Sequence, residues 1–210
     1  ADKPAFLSAE ELEKTLRRKG PGIKVTEILS SGGGGAGMGA LQVGQEFEDV
    51  ETLGTATNDW LSDGVPSEAL LRHRYHLTAL KQKGLSVTAQ HASTLKENVQ
   101  NSDGTVVFAQ EGSGGIDQVK KLAKENIKHF IINPNPQELR DWLTEHDIES
   151  VFVTGSREAE VKGITLIVMD TLRTAMEPAP VTSDIYGTDE IADDAASEDL
   201  YGTTEVAGEA

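Results

Sequence analysis

The sequence predicts an α/β fold: a small, mostly parallel sheet with an extended N-terminal arm and an acidic, low-complexity C-terminal tail. Two observations support this prediction. Short apolar strands alternate with amphipathic helices between about 105 and 170, in the order β-α-β-α-β-β, and right-handed crossovers make such consecutive strands parallel. The charge also changes at residue 177. Residues 177–210 hold ten acids and no Lys or Arg, so this segment supplies ten of the sixteen excess negative charges.

The elements between 105 and 170 follow from hydrophobic periodicity and from turn residues. Apolar side chains at helical spacing mark two helices, and Asn135 and Pro136 fit the cap and the first position of the second helix. The last strand follows a short connection, so we expect it to be antiparallel. The predicted elements are, in order, strand 105–110, turn 112–115, helix 116–127, strand 129–133, helix 136–146 and strands 150–154 and 164–169.

The N-terminal part of the chain shows weaker patterns. A capping box of Ser8 and Glu11 predicts a first helix that stops at Gly20. The glycine-rich run 32–39 begins a segment over 30–65 without clear periodicity. We interpret this segment as an irregular arm of the kind that wraps a neighbouring protein. Further predicted elements are strand 23–29, helix 66–84 and strand 85–89. The predicted division is an arm at 1–65, an α/β domain at 66–176 and a tail at 177–210.

Composition excludes several classes of protein. The chain has no cysteine, which excludes disulfides and thiolate chemistry. No apolar run approaches the roughly 18 residues needed to span a bilayer, and the N-terminal residues lack the basic and apolar blocks of a signal peptide. We therefore expect a protein without a membrane partner, located in the cytoplasm or, if its source is viral, in the virion. The acidic balance argues against direct nucleic-acid binding, because such binding needs basic surface to displace counterions.

A tandem motif in the tail is the sharpest local signal. The pattern Asp-aliphatic-Tyr-Gly-Thr-x-Glu-aliphatic-Ala occurs twice, offset by fifteen residues. Tyrosine supplies contact area at low entropic cost, and two tethered copies raise avidity, so we interpret the repeat as a docking peptide for protein partners. The alternative is a duplicated solubilising tail. The proposed contact residues are Asp184, Ile185, Tyr186, Gly187 and Thr188, and again Asp199, Leu200, Tyr201, Gly202 and Thr203.

Two further candidate sites lie in the body of the chain. A basic patch on the predicted helix 66–84 fits phosphate or an acidic tail, or is simply a solvated helix face; it consists of Arg72, His73, Arg74, His76, Lys81 and Lys83. A turn between a strand and a helix has backbone amides that fit an anion, or small residues that only make a tight turn; it consists of Gly112, Ser113, Gly114 and Gly115.

Other patterns are weaker. The run 32–39 lacks the spacing of a dinucleotide-binding loop and shows no convincing helix after it, so we interpret it as a flexible arm. His73 and His76 stand three residues apart without an evident third metal ligand. We expect no metal and no cofactor. Residues 154–157 and Asp170 fall at predicted strand ends, where α/β proteins gather ligands.

The organisation of the chain supports three functional hypotheses. The first is a non-catalytic structural protein whose extended segments bind neighbouring subunits of an assembly. A virion component, capsid-associated or at a phage head–tail junction, fits this pattern by analogy of architecture. The second is a nucleotide- or phosphate-binding α/β enzyme that uses 112–115, Arg157 and Asp170. The third is a regulator whose acidic tail mimics nucleic acid. The absence of catalytic motifs favours a protein that is not an enzyme.

Overall fold

The computed structural model describes residues 22–178. The α-helices are α1 (Ala36–Gly44), α2 (Val87–Asn101), α3 (Gly114–Glu125), α4 (Pro136–Glu145) and α5 (Ile164–Met176), and a π-helix spans Ala69–Arg74. The strands are β1 (Glu27–Leu29), β2 (Glu51–Leu53), β3 (Thr55–Ala56), β4 (Leu61–Ser62), β5 (Val65–Pro66), β6 (Thr78–Ala79), β7 (Gly104–Phe108), β8 (His129–Ile132) and β9 (Ser150–Gly155).

Five of the strands form one sheet in the order β2-β1-β9-β7-β8. Every neighbouring pair in this sheet is parallel, so the predicted α/β fold with a mostly parallel sheet is confirmed. Numbering that begins at β9 gives the order 3-2-1-4-5, which is the strand order of a Rossmann domain. Here the central strand of that order comes last among the strands that the structure describes, instead of first.

Helices cover both faces of the sheet. Alternate residues of β9 point to opposite faces: Val151 and Val153 pack in a cluster with α1, α4 and α5, whereas Phe152 packs with Val99 of α2. Val107 of β7 lies on the second face too, against α3. A parallel sheet buried on both sides explains why these strands read as continuous apolar runs.

The irregular arm expected over 30–65 is wrong for much of this segment. Residues 36–44 form the buried helix α1, and β2 adds a strand to the main sheet. The glycines that hide the helix in the sequence are there for close packing. A Cβ on Gly39 would lie 2.7 Å from the carbonyl oxygen of Thr165, and one on Gly44 would lie 2.5 Å from Thr52. Glycine lowers the helix propensity of α1, but it allows α1 to pack closely against α5 and β2.

The predicted helix 66–84 and strand 85–89 are also corrected. Only 69–74 is helical, as a π-helix, and residues 87–89 begin α2 instead of a strand. Ser86 caps α2 by accepting the amide of Ala89 at 3.3 Å. The buried face of α2 is largely polar, which hides its helical periodicity. Asn98, fully buried, accepts the amide of Thr55 (2.8 Å) and donates to its carbonyl (3.0 Å), as another strand would.

The predicted last strand, 164–169, is wrong as well. This apolar run is the start of α5, in which Ile164, Val168 and Leu172 are buried at helical spacing. Leu166 and Ile167 are 71% and 53% exposed, so the run is apolar on both of its faces and its periodicity is ambiguous in the sequence.

The other predicted elements between 105 and 155 are confirmed within one or two residues. The predicted first helix and the tail motif lie outside the described residues, and the division of the chain at 65/66 and 176/177 stays a prediction. No helix in the range 22–178 is long and apolar enough to cross a membrane.

Candidate functional site

The carboxyl ends of β1, β9 and β7 lie side by side at one edge of the sheet. β9 lies between β1 and β7, and the chain leaves β9 and β7 toward opposite faces, into α5 and α3. Ligands of open α/β sheets bind in the crevice outside such a switch point. A groove with two adjoining lobes lies at this position.

We call the two parts of this groove the α1 lobe and the α3 lobe. They enclose about 480 Å³ and about 430 Å³, which is the size range of small-molecule sites. Leu95, Thr154, Gly155 and Glu160 border both lobes. The α1 lobe is lined by, among others, Ser31, Gly33, Gly34, Gly37, His91 and Arg157. The α3 lobe is lined by, among others, Val107, Ala109, Ser113, Gly114, Gly115 and Val119.

The turn between β1 and α1 brings backbone amides to the α1 lobe. Gly35 is the N-cap of α1, with φ +51°, and it has no side chain that could cap the helix. The amide of Ala36 donates to the carbonyl of Ser156 at 3.1 Å, and a Cβ on Gly35 would lie 2.3 Å from that oxygen. Glycine therefore allows α1 to begin directly beside the end of β9. The amides of a first helical turn have no partner inside the helix, so they present partial positive charge.

The turn between β7 and α3 opens into the α3 lobe. Ser113 is the N-cap of α3 and makes no side-chain capping hydrogen bond. A Cβ at Gly114 or Gly115 would meet nothing within 4 Å, so packing does not require these two glycines. The side chain of Asn133 pairs with the amide and the carbonyl of Ala109, at 2.9 and 2.8 Å. This pairing extends β7 by one residue and fixes the start of the turn.

Gly155 sets the distance between the two sides of the groove. Its φ is +152°, and a Cβ at this position would lie 1.8 Å from the carbonyl oxygen of Phe108. The same oxygen accepts the amide of Ser156 at 2.8 Å. The ends of β7 and β9 are therefore held closer together than any side chain at 155 allows.

The N-terminus of α5 is closed by a carboxylate of the chain itself. Glu158 accepts the amide of Gly163 (2.5 Å) and both the amide (3.1 Å) and the hydroxyl (2.7 Å) of Thr165. These hydrogen bonds, that of Gly163 above all, hold the pKa of Glu158 below its usual range. Rossmann domains bind a phosphate at the helix that follows the central strand. Glu158 occupies that position in this chain. The helix N-termini that remain for an anionic ligand at the groove are those of α1 and α3.

Arg157 and Glu160 form an ion pair on the wall of the groove. Oε1 of Glu160 accepts Nε (3.0 Å) and Nη2 (2.7 Å) of Arg157, and Oε2 accepts the backbone amide of Arg157 (3.0 Å). The backbone hydrogen bond first, and then those of the side chain, lower the pKa of Glu160. Among the described residues that line the lobes, the basic side chains are Arg157 and His91.

The structure brings some of the sequence-predicted residues together and separates others. Ser113, Gly114 and Gly115 line the α3 lobe and Arg157 lines the α1 lobe, whereas Gly112 and Asp170 border neither. Asp170 lies inside α5 because the predicted strand there is a helix. The tail residues 184–188 and 199–203 lie outside the described range. The six basic residues between 72 and 83 are exposed and border neither lobe.

Sequence reasoning missed the contribution of the glycine run after β1. In the sequence no helix is evident after this run, and α1 is the helix that follows it. Its signal was present as a strand followed by glycines. Glu160 and His91 carried no signal, since only the fold brings them to the groove. Within residues 22–178 no group of three or more His, Cys, Asp or Glu is placed to hold a metal ion.

The fold defines a Rossmann-type α/β domain with a groove at its switch point. Residues 28–176 match the circularly permutated YpsA SLOG family, and the chain belongs to that family. The permutation agrees with the position of β9 in the chain. No curated protein sequence matches the chain.

One solved structure with the same fold is that of a proposed molybdenum carrier protein from Syntrophus aciditrophicus SB. The two chains are 19% identical with a TM-score of 0.58, and the match covers 74% of this chain and 96% of the other. At this identity the likeness establishes the fold alone.

The family corrects the first functional hypothesis. A structural protein of a virion, whether capsid-associated or at a phage head–tail junction, is contradicted by membership of the SLOG family and by the fold shared with the proposed carrier protein. One of the features that supported this hypothesis, the irregular glycine-rich arm, is instead part of a Rossmann-type core.

Proposed function

We propose that this chain binds a small phosphate-bearing ligand, of the nucleotide class, in the groove at the carboxyl edge of its sheet. One observation carries the proposal: two glycine-rich strand-to-helix turns open on the same groove at the switch point. Their helices, α1 and α3, begin there without a side-chain capping hydrogen bond. Helix N-termini of this kind bind phosphate through backbone amides and the helix dipole.

The lining of the groove favours a nucleotide over a bare anion. Leu95, Val107 and Val119 give the α3 lobe apolar surface on which a base or another ring can pack. The α1 lobe offers Thr94, Gln118 and His91 as hydrogen-bonding groups. Small-molecule sites combine these two kinds of surface, the apolar part for affinity and the polar groups for orientation.

Local charges and dipoles at the groove support the binding of an anion. The sequence as a whole carries a net charge of −16, so general attraction of an anion is weak. The two helix N-termini provide local positive potential at the groove, and Arg157, whose charge Glu160 balances, lies on its wall. Glu158 already neutralises the third N-terminus, that of α5. We propose binding and not catalysis.

A molybdenum-containing cargo is a second candidate, because the structural relative is described as a proposed molybdenum carrier. Molybdate is a tetrahedral oxyanion, as phosphate is, and backbone amides at α1 and α3 suit both. Protein partners for the tail and residence in the cytoplasm remain proposals as well.

Calorimetric titration of the full chain with ADP, NAD, pyrophosphate and molybdate tests the proposal. Gly115→Leu places a side chain in the α3 lobe without touching the packed interior, since a Cβ there meets nothing within 4 Å. We expect this variant to lose at least about tenfold in affinity while keeping its stability. Lys124→Leu, on the exposed last turn of the same helix, is the matched control and should bind as the wild type does. Equal binding by all three proteins, or no binding by the wild type, would reject the proposal.

A further inference from the structure

We infer that Glu160 makes the groove selective for ligands that carry hydroxyl or amine donors beside their phosphates, by holding Arg157 until such a ligand binds. The inference rests on the proposed function and names the residues that set its selectivity. Glu160 borders both lobes of the groove, and Arg157, its partner, lines the α1 lobe.

The bond between the two side chains is suited to exchange. The side chains of Arg157 and Glu160 are 55% and 48% exposed, and exposed ion pairs contribute little net stability. A ligand phosphate is a stronger partner for a guanidinium, because it accepts two parallel hydrogen bonds and carries more charge. Transfer of Arg157 from Glu160 to a bound phosphate therefore costs little.

Glu160 stays in the groove when the guanidinium leaves it. Its Oε2 accepts the backbone amide of Arg157 at 3.0 Å, and this bond does not depend on the position of the Arg157 side chain. That backbone hydrogen bond is the largest of the causes that lower the pKa of Glu160, and it persists after the exchange. After the exchange, an anchored carboxylate without its cation lies beside the ligand's own negative charge.

This arrangement distinguishes two kinds of phosphate ligand. A bare diphosphate repels the carboxylate and offers it no donor, so it binds weakly. A nucleoside diphosphate carries ribose hydroxyls and a base amine, which donate hydrogen bonds to Oε1 of Glu160 and offset the repulsion. A carboxylate that repels one ligand and hydrogen-bonds the other therefore discriminates between them.

The selectivity is measured by titrating ADP and pyrophosphate, which share the diphosphate group, into the wild type, Glu160→Gln and Glu160→Ala. Both variants remove the negative charge, and Gln keeps an acceptor for the Arg157 amide. We expect pyrophosphate to bind the variants about three- to tenfold more tightly, and ADP to gain less or to lose affinity. Arg157→Gln should lower the affinity for both ligands.

The outcomes separate the inference from the proposed function. If the wild type binds neither ligand, the proposed function fails and the inference fails with it. If the wild type binds ADP and the ratio of the two affinities is unchanged in both Glu160 variants, the inference is overturned while the proposed function stands. A ratio that shifts toward pyrophosphate in either folded variant supports it, and thermal unfolding identifies which variants are folded.

Discussion

Replacement of Gly155 by alanine is expected to cost far more stability than the same replacement at Gly112 or Gly114 in the turn before α3. The residue sits at φ +152°, and its new Cβ would lie 1.8 Å from the Phe108 carbonyl oxygen. That oxygen cannot move freely, because it accepts the amide of Ser156. Backbone in a region that only glycine populates costs about 1–3 kcal/mol for another residue. Relief of the clash requires β7 and β9 to separate at their ends.

We therefore expect Gly155→Ala to lower the free energy of unfolding by at least about 3 kcal/mol. Two glycines of the α3 turn serve as controls. Gly112 has φ +77° with nothing within 4 Å of an added Cβ, so Gly112→Ala should cost about 1–2 kcal/mol from the left-handed conformation alone. Gly114 has open space and no positive φ, so Gly114→Ala should change stability by less than about 0.5 kcal/mol.

Urea denaturation followed by circular dichroism measures all three variants under one condition. Should Gly155→Ala cost no more than Gly112→Ala, the close approach of the two strand ends would not be required. The account of how the groove is held would then be wrong.

Two further predictions concern side chains outside the groove. Asn98→Ala removes both hydrogen bonds to the backbone of Thr55 and leaves buried groups unsatisfied, so it should cost about 2–4 kcal/mol in the same assay, and a cost below about 1 kcal/mol would contradict it. Burial opposes ionisation of Asp103, but hydrogen bonds from Ser150 and Glu149 outweigh it and lower its pKa. Because the native pKa lies below the unfolded one, Asp103 contributes stability above the unfolded value, near 3.9, and that contribution is lost as pH falls through the native pKa. Asp103→Asn should therefore lose less stability than the wild type between about pH 5 and pH 3, and identical pH profiles would contradict this.

The parts of the fold that the sequence predicted are those with local signals. The strands β7, β8 and β9 are short apolar runs bounded by turn residues, and β7 and β9 are buried on both faces along most of their length. The start of α4 is specified by neighbours in the sequence alone. Asn135 accepts the amide of Glu138 at 3.0 Å, and Glu138 accepts the amide of Asn135 at 2.9 Å.

The helices that sequence reasoning missed depend on contacts far along the chain. Close packing against α5 requires glycine in α1, because a Cβ on Gly39 would lie 2.7 Å from the carbonyl oxygen of Thr165. The buried amides of α2, Gln90 and Asn98, are explained by the backbone near residues 55 and 58. A periodicity argument treats such residues as loop or surface, because it counts apolar side chains only.

The candidate site was visible in pieces and not as a whole. The turn at 112–115 and the residue Arg157 stand out in the sequence because each follows an apolar strand. These residues lie close to the glycine run after β1 because β1 pairs with β9. The two strands are far apart in the sequence, so no local pattern predicts this pairing. Strand order is a long-range property, and a permuted Rossmann order is harder still to infer from local signals.

The central claim is that two helix N-termini on one groove bind the phosphates of a small ligand, and amide chemical shifts test it most directly. In an NMR titration of ¹⁵N-labelled full chain with ADP, the largest shifts should fall on the amides of 33–37, 113–115 and 154–157. Unchanged amides in these segments, or shifts centred on the basic residues 72–83, would contradict the account.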